Sequence, residues 1–217
     1  MAKASRIDES LPILHHAIIG STGSGKTTFI KRHPYFRQAR RLIIWDPEGS
    51  FTGVRRYTTK SGFLRACKAA GFGDIRIRLE LDPTPENYEW FCSIVWPMLH
   101  AAAPMTMVGE ELADVTGVGK ASKYWGFLSR KGRKYGLTIL GASQRPQEMD
   151  KTFLSQARFR WCGILNTDTD QKYMANIMQL SLAEIAALDE EKCEFYLRQG
   201  SKPSQKGRLT FKTKKGK

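Results

Sequence analysis

Gly20-Ser21-Thr22-Gly23-Ser24-Gly25-Lys26-Thr27 is a glycine-rich segment that carries the most specific motif in this sequence. It matches the phosphate-binding pattern G-x-x-x-x-G-K-[ST] at every fixed position. The apolar run Ala17-Ile18-Ile19 before it predicts a buried strand, and the run from Thr27 to Lys31 after it predicts a helix. Strand, loop and helix in this order favour a nucleotide-binding loop over a plain glycine-rich turn.

The residue types of this loop suit a bound triphosphate. Its glycines allow backbone N–H groups to turn towards an anion, and the following helix directs its positive dipole end to the same place. We expect Lys26 to reach the β- and γ-phosphates and the Thr27 hydroxyl to hold Mg²⁺. The residues expected to contact the nucleotide are Gly20, Ser21, Thr22, Gly23, Ser24, Gly25, Lys26, Thr27 and Thr28, with Asp46 as a further candidate.

The composition is that of a soluble globular protein. The chain has 217 residues, of which 41% are hydrophobic, and this is enough for one α/β domain with a sizeable core. No apolar run approaches the roughly 20 residues that a membrane-spanning helix requires. The start of the chain lacks the apolar segment of a secretory signal, and the four cysteines are widely spaced, which favours reduced packing residues.

The charge of the chain points to an acidic partner. The formal net charge is +14 at pH 7, and such an excess is typical of proteins that bind polyanions. From Arg198 to the end there are eight Lys or Arg and no acid, and between Asp114 and Glu148 there are seven and no acid. These segments are either solvated surface with a basic tail or contacts to DNA phosphates, and the sequence leaves both interpretations open.

Short apolar runs alternate with amphipathic runs, which predicts an α/β fold with a mostly parallel central sheet flanked by helices. We expect residues 1–16 to form an N-terminal segment, 17–200 the nucleotide-binding domain and 201–217 a basic C-terminal strand or tail. Further strands are predicted at 41–45, 74–79, 105–109, 137–142, 158–165, 194–198 and 208–212. Further helices are predicted at 61–70, 84–99, 120–135 and 168–178, with a short one opening at the capping box that begins at Ser181.

Two acids follow the predicted strand at 105–109. Nucleotide hydrolysis needs a carboxylate at the end of a strand next to the loop, beside the metal and the attacking water. We expect Glu110 to orient Mg²⁺ or its water, and Glu111 to polarise the attacking water. Paired acids that end a buried strand are costly without a partner such as a metal, which favours these roles over two surface carboxylates in a loop.

Polar side chains also end two other predicted strands. Gln144 follows the strand at 137–142, where its amide could sense the γ-phosphate and hold the water, or simply begin a turn before Arg145-Pro146. Asp46 follows the strand at 41–45 and could touch the nucleotide or cap the Asp-Pro-Glu-Gly turn. Both alternatives stay open for each residue.

An arginine can stabilise the charge that develops on the γ-phosphoryl group, from the same chain or from a neighbouring subunit. Arg130 and Arg133 are the leading candidates because they lie three residues apart on the predicted basic helix, and so on one face of it. Each could equally contact a DNA phosphate or be a solvated charge. The other candidates are Arg145, Arg158 and Arg160, and the same two alternatives stay open for each of them.

Together these motifs resemble the FtsK–HerA superfamily of P-loop ATPases. The resemblance runs from about residue 17 to residue 165, and it implies a three-layer, RecA/ASCE-like P-loop NTPase fold. It also implies ATP and Mg²⁺ as ligands, with an acid in the Walker B position, a polar sensor and an inter-subunit arginine. The family has Asp where this chain has Glu110. The matching segments are 20–27, 43–49, 110–111, 132–136 and 141–146.

Within that superfamily the short chain resembles the genome-packaging ATPases of tailless, membrane-containing icosahedral viruses with double-stranded DNA. That resemblance implies a ring, expected to be a hexamer, at a capsid vertex. Such a ring would use ATP to pump double-stranded DNA inward, so the expected locations are the host cytoplasm and the virion, with capsid vertex proteins as partners.

Other functions remain open at this point. One is a related ATPase of filamentous-phage type that exports single-stranded DNA, although such proteins typically carry a membrane segment. Another is a P-loop small-molecule kinase, which needs an arginine-rich lid and an acceptor pocket. A third is a non-catalytic DNA-binding protein that holds ATP as a structural ligand. The basic charge and the acidic pair favour the DNA motor over these.

Overall fold

The fold is built on one mostly parallel sheet. A computed structural model describes residues 6–210, and the strands of this part follow the order β3-β4-β2-β5-β6-β1-β7-β8-β9 in space. Their bounds are β1 (His16–Ile19), β2 (Arg41–Trp45), β3 (Arg55–Tyr57), β4 (Ile75–Leu79), β5 (Met105–Gly109), β6 (Leu137–Ser143), β7 (Phe159–Cys162), β8 (Glu194–Gln199) and β9 (Gln205–Arg208).

The first seven strands in this spatial order, which include β1 and β2, all run parallel. Strands β8 and β9 add antiparallel strands at one edge. The first strand, β1, lies between β6 and β7, with Ile18 opposite both Ala142 and Trp161. Because parallel strands end at the same edge, the loops after β1, β5 and β6 all open on the carboxyl edge of the sheet. This edge is where the predicted nucleotide-binding residues meet.

Helices cover both faces of the sheet. Their bounds are α1 (Lys26–Arg32), α2 (Pro34–Arg37), α3 (Lys60–Ala70), α4 (Pro85–Val95), α5 (Leu112–Thr116), α6 (Lys123–Lys131), α7 (Lys151–Gln156), α8 (Asp168–Met178) and α9 (Leu182–Ala186), with short 3₁₀ helices at Trp96–Met98 and Gly132–Tyr135. Among residues 6–210, none of the helices has the length and hydrophobicity that a membrane-spanning segment needs.

The two faces of the sheet form two cores. In β2, Ile43 and Trp45 join the larger core, whereas Leu42 and Ile44 join the smaller one. This alternation follows from the period of two along a strand. Helices α1 and α2 pack on the smaller core, and helices including α4, α6 and α8 pack on the larger one. The predicted α/β fold with helices on both faces is confirmed.

Local sequence signals place several helix ends. The Thr84 hydroxyl accepts a hydrogen bond from the Asn87 N–H at the start of α4, and Ser181 and Glu184 form the expected capping box at the start of α9. The helix predicted at 84–99 changes to 3₁₀ geometry at Trp96, next to Pro97.

Some predicted bounds are wrong. The helix expected at 120–135 is α6 followed by a 3₁₀ helix, and the strand expected at 158–165 is the shorter β7. The last strand runs over 205–208 instead of 208–212, because the hairpin register pairs Glu194 with Arg208. Residues 211 and 212 of the range predicted for that strand lie outside the described residues, as does the rest of the expected tail to residue 217.

The N-terminal segment lies across the amino edge of the sheet, opposite the edge where the loops after β1, β5 and β6 open. The Asp8 N–H donates to the Lys134 carbonyl (2.8 Å), and the Ala101 N–H donates to the Arg6 carbonyl (3.0 Å). Glu9 forms an ion pair with Lys134 at 2.6 Å. These contacts tie residues 6–9 to the segments that lead into β5 and β6.

Candidate functional site

The loop at residues 20–25 is held between the two neighbours of β1. The Gly20 N–H donates to the Ser143 carbonyl at the end of β6, and the Ser21 N–H donates to the Ile164 carbonyl after β7. Gly23 and Gly25 have φ values of 83° and 94°, in the left-handed region that favours glycine. The sequence therefore folds here into a loop that curls at the carboxyl edge of the sheet.

The loop and the start of α1 fit an anion. Helix α1 begins at Lys26 with Gly25 as its N-cap, which supplies no side-chain hydrogen bond, and no acid lies in its first turn. The hydroxyl of Ser24 is buried and has no hydrogen-bond partner among the described residues. Backbone donors at a helix start and a buried hydroxyl are groups that phosphate oxygens can satisfy.

Lys26 is folded into the loop. Its Nζ donates to the carbonyl oxygens of Gly20 at 2.7 Å and Ser21 at 3.2 Å, and it lies 4.0 Å from Oε1 of Glu111. Burial lowers the pKa of Lys26, and the nearby carboxylates of Glu111 and Glu110 oppose that effect. A triphosphate would give this buried ammonium the anionic partner that carbonyl oxygens cannot supply.

Glu110 and Thr27 lie together at the mouth of the loop. Glu110 is 4% exposed, and its Oε1 accepts a hydrogen bond from the Thr27 hydroxyl at 3.2 Å. Burial raises the pKa of Glu110 to about 7, and repulsion from Glu111 adds to the rise. Hydroxyl and carboxylate oxygens are the ligands that Mg²⁺ prefers, so the pair fits a metal held together with nucleotide phosphates.

Glu111 is held in an unusual backbone conformation. Its φ of 47° is left-handed, which is uncommon for a residue other than glycine, and it forms the N-cap of α5. Its Oε1 accepts from the side-chain amide of Gln144 at 2.9 Å, and its Oε2 accepts from the Gln144 N–H at 3.3 Å. Burial raises the pKa of Glu111, opposed first by the bond from Gln144.

Gln144 connects the acid to the loop. Its Oε1 accepts a hydrogen bond from the Thr22 hydroxyl at 2.7 Å, while its amide nitrogen donates to Glu111. The sequence places Thr22 only among residues that contact the nucleotide, and nothing in its pattern indicates that its side chain reaches a residue 122 positions away. The structure thus brings Thr22, Gln144, Glu111 and Lys26 into one chain of contacts.

Asp46 has the turn-capping role that the sequence left open. It is fully buried, its Oδ1 accepts from the Ser50 N–H at 2.7 Å, and its Oδ2 accepts from the Phe51 N–H at 3.0 Å. The same Oδ2 forms an ion pair with Arg78 at 2.8 Å. With both oxygens engaged, the carboxylate holds the turn after β2, so we do not retain it as a nucleotide contact.

The leading arginine candidates lie away from the loop. Arg130 is exposed at the end of α6, and Arg133 lies in the following 3₁₀ helix, so they do not share one helix face as the sequence suggested. Arg133 donates to the carbonyl oxygens of Glu9 and Leu11 at 3.0 Å and 2.6 Å, at the amino edge of the sheet. They can meet a nucleotide only if it is bound by another subunit.

The three remaining arginines are also accounted for. Arg145 is exposed after β6 and pairs with Glu148 at 3.0 Å. Arg160 donates to the Leu154 carbonyl at 3.2 Å, and Arg158 is exposed just before β7. None of these contacts joins an arginine to the P-loop within the described residues.

A contact that the sequence did not indicate joins the end of the described chain to the loop. A Cβ added at Gly25 would lie 2.5 Å from Cδ1 of Leu209, so Leu209 packs directly against the loop glycine. The Arg32 guanidinium on α1 donates to the carbonyl of Thr210 at 2.6 Å. The segment after β9 therefore lies beside the candidate phosphate site.

The likeness to known proteins decides the family. No protein-family model matches this chain. Protein P9 of Pseudoalteromonas phage PM2 is 44% identical over 210 residues, which cover 95% of this chain and 95% of P9. The chain belongs to the family of Protein P9. That relation spans the P-loop, both glutamates and Gln144, so the site described above lies within the P9-like region.

Several solved structures share the fold of this chain. The genome packaging NTPase B204 of Sulfolobus turreted icosahedral virus 2, in complex with AMPPCP, matches with a TM-score of 0.73 and 12% identity, covering 93% of this chain and 100% of B204. The pCW3 conjugation coupling protein TcpA with ATPγS matches with a TM-score of 0.61 and 13% identity, covering 90% of this chain and 60% of TcpA. The predicted P-loop NTPase fold and the resemblance to viral genome-packaging ATPases are confirmed at the level of fold.

Proposed function

We propose that this chain is an ATP-hydrolysing DNA translocase that packages viral double-stranded DNA into a preformed capsid. The observation that carries the proposal is the chain of contacts from Lys26 through Glu111 and Gln144 to Thr22 at the carboxyl edge of the sheet. A loop suited to phosphates, a buried acid and a polar strand end are the parts that hydrolysis of a nucleotide requires. The fold shared with the genome packaging NTPase B204 also supports the proposed role in packaging.

In the proposed hydrolysis, different residues bind the phosphates, hold the metal and activate the water. The N–H groups of the P-loop and the Lys26 ammonium would bind the β- and γ-phosphates, and Thr27 with Glu110 would hold Mg²⁺. The metal, when bound, neutralises charge on the phosphate oxygens. Glu111 would take the proton of the attacking water, and Gln144 would hold that water near the γ-phosphate.

A neighbouring subunit would complete the site. An arginine finger contributes about 10³–10⁵ in rate to such reactions. Since Arg130 and Arg133 lie far from the P-loop of their own chain, we place them as candidates for the finger of the next subunit in a ring, expected to be a hexamer. Their positions near the amino edge leave them available only to such a partner.

The proposed cargo is double-stranded DNA. The net charge of +14 would favour a polyanion. The relation to a phage protein and the fold of B204 support a place at a capsid vertex, with host cytoplasm and virion as the locations. Capsid vertex proteins are the expected partners.

Steady-state ATP hydrolysis with and without duplex DNA tests this proposal. We expect Mg²⁺-dependent hydrolysis that duplex DNA stimulates, because translocation couples the two. Lys26→Ala should abolish hydrolysis, because it removes the buried cation of the loop.

Three outcomes would count against the proposal. Hydrolysis by Lys26→Ala at the rate of the unchanged protein would remove the P-loop from the reaction. A rate of ATP hydrolysis that does not change when duplex DNA is added would argue against DNA translocation. Transfer of phosphate to a small acceptor instead of water would identify a kinase.

A further inference from the structure

A shallow groove lies at the edge of the sheet that β3 forms. It has a volume of about 670 Å³, and helix α3 forms one side of it while β3 and β4 form the other. Three arginines line it: Arg55 at the start of β3, Arg65 on α3 and Arg76 on β4. All three are exposed.

The charge in this groove is not balanced by acids. Among its described lining residues the acid is Asp74, whose carboxylate pairs with Arg40 at 3.0 Å. The nearby Glu80 binds Arg56 at 2.8 Å and also pairs with Arg78. The acids around the groove are thus already engaged by cations other than those that line it.

The three arginines differ in their attachments. Arg55 lies over the ring of Tyr57 at 5.3 Å, and Arg76 donates to the carbonyls of Phe36 and Ala39, which fixes its position. No hydrogen bond or ion pair holds the Arg65 side chain within residues 6–210. Arg55 and Arg65 therefore keep their guanidinium donors available for an anion.

The wall formed by α3 is smooth. The residues of α3 that line the groove beside Arg65 are small, which lets an extended backbone approach the helix closely: Gly62, Ala66, Ala69 and Ala70. The groove therefore combines small side chains on α3 with the guanidinium groups of Arg55 and Arg65. This combination suits a chain of phosphates better than a compact apolar ligand.

We infer that this groove is a contact surface for the phosphate backbone of double-stranded DNA. The inference rests on the proposed function, since it takes DNA as the polyanion. It places the contact at the β3–α3 edge, away from both basic stretches that the sequence singled out. Arg55 and Arg65 bind phosphates there without reading bases, so the contact has no sequence preference.

The test measures how the affinity for DNA depends on salt. The full-length protein with Mg²⁺ and AMPPCP is titrated onto a fluorescent random-sequence duplex at several salt concentrations. The double variant Arg55→Gln/Arg65→Gln should reduce the slope of log K against log salt by about 1.8, because each lost phosphate contact removes about 0.9. Basal ATP hydrolysis should be unchanged, since neither residue belongs to the nucleotide site.

A matched control removes two exposed charges from the other half of the sheet. Lys151→Gln/Lys172→Gln takes away the same charge near α7 and α8, and it should leave the slope unchanged. Equal slopes for all three proteins, or equal losses in both double variants, would overturn the inference while DNA binding itself persists. If the unchanged protein binds no duplex at any salt concentration, the proposed function fails first. Thermal melting of both variants checks that these exposed substitutions leave the fold intact.

Discussion

At the scale of single residues, the contact between Thr22 and Gln144 gives a P-loop side chain a positioning role. The Thr22 hydroxyl donates to Oε1 of Gln144, which leaves the Gln144 amide nitrogen to face Glu111. This orientation decides which end of the amide meets the acid. We therefore expect Thr22 to act on the proposed reaction through Gln144, without contacting the attacking water itself.

Thr22→Val removes the hydroxyl and keeps the shape of the side chain. We expect kcat for ATP to fall about three- to tenfold with little change in KM, because one hydrogen bond contributes about 0.5–1.5 kcal/mol. Thr22→Ser should restore kcat. A rise in KM alone would show that Thr22 serves substrate binding instead.

The raised pKa of Glu110 predicts how stability depends on pH without nucleotide. The folded protein binds this proton more tightly than the unfolded chain, since the pKa rises from 4.5 to about 7 on folding. The free energy of unfolding should therefore fall as pH rises from 4.5 to 7, by about 3 kcal/mol at most from this group. Denaturant unfolding at pH 5 and pH 8 measures the difference.

Glu110→Gln provides the comparison for that measurement. The variant cannot ionise, so its stability should fall less between the two pH values. Glu148→Gln alters an exposed carboxyl at the same edge of the sheet and should keep the pH dependence of the unchanged protein. If Glu110→Gln and the unchanged protein lose the same stability with pH, the buried acid is not the group responsible.

At the scale of elements, the turn after β2 depends on Asp46. Its carboxylate accepts from the N–H groups of Ser50 and Phe51 and pairs with the buried Arg78. Asp46→Ala should lower the free energy of unfolding by about 3 kcal/mol, because the substitution leaves a buried cation short of a partner. Denaturant unfolding gives the loss.

Glu48→Ala in the same turn is the matched control, because Glu48 is exposed. It should change stability by less than about 0.5 kcal/mol. The folded fraction of Asp46→Ala should still bind ATP with unchanged affinity. Loss of ATP affinity with full stability would return Asp46 to the nucleotide site.

The elements that the sequence predicted are those with strong local signals. The strand β1, the P-loop and helix α1 follow from an apolar run, a glycine pattern and its context. Strand β3 was missed because its sequence, Arg-Arg-Tyr, contains no apolar run and it forms only by pairing with β4. Strand β9, with the sequence Gln-Lys-Gly-Arg, was misplaced for the same reason, since β8 sets its register.

At the scale of the whole molecule, the order of the strands assembles the site. Strand β6 lies between β5 and β1, so Gln144 at its end reaches both Glu111 after β5 and Thr22 after β1. The sequence predicts that these strand ends share an edge, but the specific contacts depend on packing between distant segments. The proposed source of an arginine finger is a second subunit, which one chain's sequence does not describe.

The proposed hydrolysis requires Glu111 to activate the water that attacks ATP bound by the P-loop. The most direct measurement compares ATP binding and turnover in Glu111→Gln, with Glu148→Gln as the control. We predict unchanged affinity for Mg²⁺·ATP and a loss of turnover of about 10²–10⁴-fold in Glu111→Gln only. Normal turnover in that variant, with binding retained, would show that Glu111 does not activate the water.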